Sequence, residues 1–446
     1  MKAANDFYQH RNQRTMQYAG NEIFDRHPVS VIVDDTIAGT QACQALVLAL
    51  ANQLARVHRR VNFILRDAPL QTWSLRSGST IYEALRNTVY AIDPFGAFSF
   101  NESWPHSIRL GIGAPNDVCD WYVGADGARA RLDIRPCSFN TALPGTVRGA
   151  ALSACLGAAA VFRSQLGMRT SPRVLSAWNF AEGEDADRGP AEVSAVDVGR
   201  VLMVGAGAVA AALVYWLRVF GVNGIWVVVD KDKVMIHNLN RGMLFTADDA
   251  GWPDQDAAYK ADVCAKCLPN CTSTRRWLHE TQIDRDTDLI LALANEYNVR
   301  TTIAQINAPL VLHATTGETW LSELHRHVPG RDDCIACRTR DVKAPTMGCS
   351  TAKVEDLTKV SSDAALPFLS AASGLMLATA LQRLQAGGLS RRKHNNWKWY
   401  FDTAAKMTQK TVHICHEGCA LIHPPELRKS LHQGKRWASL DPALMP

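Results

Sequence analysis

The stretch Gly199–Val234, GRVLMVGAGAVAAALVYWLRVFGVNGIWVVVDKDKV, constrains the fold of this chain more than any other. An apolar strand runs into a glycine turn, the turn into an apolar helix, and the helix into a second strand that ends at Asp230. That succession is a nucleotide-binding βαβ unit. Gly205 and Gly207 let the backbone turn tightly and approach a phosphate. The following helix offers its N-terminal N–H groups and positive dipole end, and Ala210 at the third small position permits close helix packing. Asp230 is placed to accept hydrogen bonds from a ribose. Turns of this kind also serve dinucleotides, so the turn alone leaves a nicotinamide or flavin enzyme open.

The residues after Asp230 separate these readings. DKDKVMIHNLNRGMLF carries Asp232, Asn238 and Arg241, and Lys260 follows in AAYKADVCAKCL. Two cations and a carboxamide close behind a ribose carboxylate suit a triphosphate better than a nicotinamide. The order D-x-D-x-V, then N-L-x-R, then a lysine resembles the adenylating enzymes that include the ubiquitin activators and the sulfur-carrier activators of thiamine and molybdopterin synthesis. The resemblance runs from Val201 to about Cys419. It implies an α/β fold with a Rossmann-like adenylation domain on a mostly parallel sheet, and ATP with Mg²⁺ as cofactors. It further implies that Asp230 binds ribose, while Asn238, Arg241 and Lys260 contact the phosphates and stabilise charge as pyrophosphate leaves. The family's Mg²⁺-binding aspartate aligns with Asn295 in DLILALANEYNVR. An amide oxygen holds Mg²⁺ less tightly than a carboxylate, a deficit that Asp232 or Glu296 would compensate.

Twelve cysteines in a chain without a secretory signal point to metal binding, thiol chemistry or burial rather than disulfides. Cys334 and Cys337 form CIAC, and Cys415 and Cys419 form CHEGC; four thiolates on two short turns suit a structural Zn²⁺ site, against two pairs of plain thiols. The resemblance implies such a zinc staple, although the second pair has one residue more between its cysteines than the family has, and His416 or His423 is an alternative ligand. Cys349 lies in the polar stretch APTMGCSTAKVEDLTKV ahead of the apolar helix PFLSAASGLMLATALQRL. In the family this crossing segment carries the cysteine that attacks the acyl adenylate, which implies Cys349 as nucleophile, with Lys343 or Lys353 favouring its thiolate. An unreactive loop cysteine is the alternative. Cys264, Cys267 and Cys271 fall on the helix after Lys260 and its turn and are read as packing residues rather than a second metal cluster.

The first half reads as a related fold without the chemistry. Pro28–Asp67 gives strand, helix (Ala42–Val57) and strand, a parallel βαβ unit whose turn, DDTIAGTQ, holds one glycine where a phosphate site wants several. Ser107–Gly113 and Ala128–Ile134 read as strands, and NTALPGTVRGAALSACLGAAAVFRSQLG as a small-residue helix. That helix resembles the one closing the degenerate domain of activators from bacterial ubiquitin-like conjugation operons. The resemblance therefore implies a degenerate, inactive adenylation-like domain over residues 1–185 and an active one over 186–446, divided at the acidic, exposed linker Ala181–Glu192. Arg26, Arg11 and Arg14 are rival arginines for reaching a partner's ATP site.

Composition narrows the partners. No run of about 18 apolar residues occurs and no signal peptide is indicated, so a cytosolic chain without membrane contact is expected. A net charge of +5 over 446 residues, with no basic block, argues against nucleic acid. The expected partners are a ubiquitin-like protein and a conjugating enzyme, with a homodimer left open. About 27 residues follow Cys419, too few for a separate ubiquitin-like domain. A sulfur-carrier activator and a non-catalytic scaffold for a ubiquitin-like protein are the competing readings.

Overall fold

The computed structural model describes residues 2–13, 26–192, 196–295, 297–317, 320–338, 366–389, 393–402, 406–419, 421 and 423–441. The first half contains α1 (Lys2–Asn12), β1 (Val29–Val33), α2 (Gln41–Ala55), β2 (Arg60–Ile64), α3 (Ile81–Ile92), β3 (Ala97–Phe100), β4 (Ile108–Ile112), β5 (Trp121–Asp126), β6 (Arg129–Asp133), α4 (Thr146–Gln165) and β7 (Arg173–Ser176). The second contains β8 (Asp197–Val204), α5 (Ala208–Phe220), β9 (Asn223–Val229), α6 (Lys260–Cys267), β10 (Cys271–Thr274), β11 (Leu289–Ala292), α7 (Tyr297–Ile306), β12 (Val311–Gly317) and β13 (Leu321–His327). It ends with α8 (Ile335–Arg338), α9 (Pro367–Gln385), β14 (Asn396–Tyr400), β15 (Thr408–Thr411) and α10 (Pro425–His432).

Each half builds one mixed, mostly parallel sheet, and the two sheets match strand for strand. The first runs β3-β2-β1-β4-β5-β6-β7 and the second β10-β9-β8-β11-β12-β13-β14, extended by β15. In both, the first five strands in that order are parallel and the last pairings antiparallel. The apolar runs explain the central positions: β1 (VSVIV) is buried at every residue, as a strand covered on both faces should be. The protein is thus α/β, two Rossmann-like units in succession.

Helices α2, α4, α5 and α9 form the layer between the sheets, with α4 on α9 and α2 on α9 across the halves. Small residues bring these helices close. Gly374 in α9 has no room for a side chain, since a Cβ there would lie 2.5 Å from Leu213 N on α5. Phe162 meets Trp320 and Phe368 at ring separations of 5.6 and 5.8 Å, and Arg163 Nη1 donates to Phe401 O and Asp402 O, both at 2.8 Å. One hydrophobic core consequently spans both halves. Among the described residues, no helix is long and apolar enough to cross a membrane.

The expected exposed linker is corrected in part. Ala181 and Ala186 are buried, and Glu182 is tied down by Arg173 Nη1 at 2.7 Å and by Met407 N at 2.8 Å. Its acidic composition concealed a carboxylate that a nearly buried arginine requires. Strands β3, β5 and β7 and helix α3 also went unread.

Candidate functional site

The two sheets differ most in the turn after their first strand. After β8 the chain passes through Gly205 at φ +93°, and a Cβ there would lie 2.6 Å from Ala294 N in the loop after β11. Only glycine meets both demands. Gly207 then caps α5 with no side-chain hydrogen bond, and no atom lies within 4 Å of where its Cβ would be. The first N–H groups of α5 therefore face open space with the positive end of the helix dipole behind them. After β1, by contrast, Thr40 caps α2 with its own side chain, Asp34 Oδ1 accepts from Thr36 N and Oγ1 at 2.9 and 2.7 Å, and Ile37 and Ala38 are buried in the turn. The first turn is filled by its own residues; the second is left for a ligand.

A cleft opens over the second turn. Gly205, Gly207, Asp230, Asp232, Lys260 and Asn295 all line it. The Asp230 carboxylate accepts from Ala206 N at 2.7 Å and Asp232 N at 2.8 Å, locking the glycine turn to the end of β9. Burial pushes its carboxyl up, opposed by the Lys260 charge and those two backbone donors. Asp232 lies between Lys260 Nζ and Lys231 Nζ, each 3.1 Å away; burial would raise its carboxyl, yet the lysines hold it below the ordinary value. Lys260, at the start of α6, is 8% exposed.

Asn238 and Arg241 are not among the residues lining the cleft. Asn238 closes a 3₁₀ turn over Ile236–Asn238, its Oδ1 accepting from Met235 N at 2.9 Å. Arg241 is buried, with Nη1 on His237 O at 2.9 Å and Asn240 Oδ1 at 2.8 Å. Cys349, Lys343, Lys353, Glu296 and Arg14 lie outside the described residues. Arg26 is exposed and does not line the cleft. Arg11 is corrected: it is fully buried in the first half, paired with Asp93 at 2.6 Å and donating to Ala55 O at 3.1 Å, because an interior carboxylate needs a cation beside it.

Lys231, Arg276, Trp277 and Leu278 line the same cleft and were not singled out from sequence. Trp277, beyond the end of β10, stacks under Lys231 Nζ at 4.2 Å from the ring centroid and offers an aromatic wall in the cleft that Asp230 also lines. The available signal was position, since ligands in such sheets bind beyond the carboxyl ends of the central strands.

The four cysteines Cys334, Cys337, Cys415 and Cys419 converge, their Sγ atoms all within 4.8 Å of one another. Cys334 to Cys419 is 3.8 Å and Cys337 to Cys419 is 3.4 Å, near the edge of about 3.8 Å that tetrahedral Zn–S bonds of about 2.3 Å require. The hydrogen bond with Cys415 lowers the Cys334 thiol to about 5, while burial raises Cys337 to about 11. Four sulfurs this close cannot all ionise without a cation among them. Asp333 supports the first pair, held by Arg338 at 2.6 and 2.7 Å, while its carbonyl meets His327 Nδ1 at 2.8 Å. Cys264 is buried in α6, and Cys267 and Cys271 are half-buried at its end and at the start of β10.

A model described as the ThiF family matches residues 186–419, more than half of the chain. The chain belongs to the ThiF family. ThiF proteins use ATP to adenylate a carboxylate. No curated protein matches the chain in sequence. Among solved structures, E. coli MccB with AMPCPP and MccA is similar at 13% identity and a TM-score of 0.36, over 50% of this chain and 66% of that one. E. coli MccB with ATP gives 14%, 0.36, 50% and 66%, and E. coli MccB alone 14%, 0.37, 50% and 65%. The chain thus spans just under two thirds of the MccB chains it matches.

One test of the ThiF cleft follows from Gly207. Gly207→Leu adds a side chain where the protein has open space, so the fold should survive while the space before the N-terminus of α5 is blocked. Affinity for a fluorescent ATP analogue is expected to fall at least about tenfold with the thermal midpoint within about 2 °C of wild type.

Proposed function

We propose that the protein activates a ubiquitin-like protein with ATP. The C-terminal carboxylate oxygen of that partner attacks the α-phosphorus, the bond from that phosphorus to the oxygen bridging to the β-phosphate breaks, and pyrophosphate leaves an acyl adenylate. The Cys349 thiolate then attacks the acyl carbonyl, AMP leaves with the electron pair of the cleaved C–O bond, and the thioester passes to a conjugating enzyme. The observation that carries the reading is the uncapped N-terminus of α5 opening into a cleft that gathers Asp230, Asp232, Lys260 and Asn295.

In this reading Asp230 takes the ribose, and Lys260, with Asn238 and Arg241 from the neighbouring turn, takes the phosphates. Asp232 and Asn295 offer two oxygen donors in the cleft, which fits a Mg²⁺ that draws its remaining ligands from phosphate and water and would offset phosphate charge. The four cysteines would hold a structural Zn²⁺. The first half, with its filled turn, serves as an inactive adenylation-like domain, and residues 186–446 as the active one.

ATP–pyrophosphate exchange in the presence of the cognate carrier tests the first step. Exchange that depends on the carrier, followed by a thiol-sensitive adduct lost in Cys349→Ala, is expected. Asn295 in place of a carboxylate favours a second reading, a scaffold that binds the carrier without activating it; complete absence of exchange with bound carrier would establish that one instead. Exchange ending in a thiocarboxylate would move the assignment to sulfur transfer.

A further inference from the structure

We infer that Arg56 and Asn52, both in the first half, are positioning residues for the phosphate-binding segment of the second half. The inference rests on the adenylation reading above. The segment from Ile236 to Trp252 leaves the second sheet after β9 and lies against the first half. Helix α1 packs on its 3₁₀ turn, Phe7 meets Trp252 at 5.3 Å, Ala247 N donates to Ala91 O at 2.8 Å, and Arg76 Nη2 donates to Thr246 Oγ1 at 3.0 Å. Between Leu239 and Phe245 it has neither helix nor strand, so several of its carbonyls need partners from elsewhere.

Those partners come from the C-terminal turn of α2. Arg56 Nη1 donates to Leu239 O at 2.6 Å and to Phe245 O at 3.1 Å, and its Nε donates to Asn52 Oδ1 at 2.9 Å. Asn52 Nδ2 in turn donates to Met243 O at 2.9 Å. Both side chains are fully buried. A buried guanidinium whose contacts are carbonyl oxygens rather than a carboxylate is costly to keep, and a packing role alone would be filled at lower cost by an apolar residue. What this arrangement supplies is three fixed carbonyls, at Leu239, Met243 and Phe245, bracketing Arg241 and following Asn238. Arg241 is itself fastened to that backbone through His237 O, so a shift of the segment moves its guanidinium.

Equilibrium binding of a fluorescent ATP analogue, which needs no carrier, tests this with Arg56→Met, Arg56→Lys and Asn52→Ala, alongside hydrogen exchange of residues 238–247. Loss of the fork is expected to weaken ATP about tenfold in Arg56→Met, with partial recovery in Arg56→Lys, and about threefold in Asn52→Ala, which keeps the buried cation and provides the readout if Arg56→Met does not fold. Amides of Leu239–Ala247 should exchange faster while those of β8 and β9 stay protected. Faster exchange with unchanged ATP affinity would reduce both residues to structural ones and overturn the inference. A wild-type protein that binds no ATP would instead overturn the adenylation reading, and the inference with it.

Discussion

Replacing Lys260 by alanine is expected to lower carrier-dependent ATP–pyrophosphate exchange by about 10²–10³-fold, the effect of removing one preorganised charge from a partly desolvated site. Lys260 is only 8% exposed, its Nζ reaches Asp232 at 3.1 Å, and its own backbone N donates to Asp232 O at 2.9 Å, so the start of α6 and the loop after β9 are held as one piece. In the proposed reaction that bracing would leave the ammonium little freedom to reorganise as negative charge builds on the departing pyrophosphate. The alanine variant keeps the backbone bond but leaves Asp230 and Asp232 with one cation fewer, so a fall of about 2–5 °C in the thermal midpoint is expected beside the much larger loss of exchange, which is read on protein still folded at the assay temperature. Lys260→Arg should retain part of the rate, since charge remains but its placement changes. A Lys260→Ala enzyme with wild-type exchange would shift the burden to Lys231 or Arg276, the other cations lining the cleft.

The second large effect is expected from the cysteines. Purified protein should carry about one zinc per chain, and Cys337→Ser should lose it together with a fall of about 5–10 °C in the thermal midpoint, since structural zinc contributes its binding free energy directly to folding. The location explains the size of the effect. Cys334 immediately precedes α8 and Cys337 lies within it, just beyond β13, whereas Cys415 and Cys419 follow the edge strand β15, so the metal would tie the two together across the end of the sheet. Without it, the hydrogen bond with Cys415 favours a thiolate at Cys334, while Cys337 is raised by burial and Cys415 by its hydrogen bond with Cys334, so both favour the protonated thiol. Metal analysis of native protein with a thermal scan before and after chelation checks this. Zinc-free protein whose unfolding is indifferent to a strong chelator would overturn it.

Much of the site was legible because its parts are local. The glycine turn, the strand leading to Asp230 and the lysine opening α6 follow one another along the chain, and the positive φ at Gly205 is a demand of the turn itself, whereas the close approach of Ala294 belongs to the tertiary structure. The four-cysteine cluster was readable from two short spacings, even though the extra residue in the second pair left room for His416 or His423; Sγ convergence brings all four cysteines together. Strands such as β5 (WYVGAD) and β15 (TQKT) escaped because they are short, mixed in polarity and defined by their neighbours rather than by period.

What the amino-acid order determined by itself was the succession of βαβ units and the residue types that suit a nucleotide, since strand and helix periodicity, glycine turns and thiol spacings are properties of contiguous chain. What only the tertiary structure decided was which groups share a space. Trp277 and Arg276 reach the cleft from beyond β10, Arg11 turns inward to Asp93, and Arg56 crosses from the first half to the carbonyls beside Arg241. Those outcomes follow from burial. A cation or a carbonyl removed from water must find a partner, and where that partner lies is set by how the two sheets and the helices between them pack.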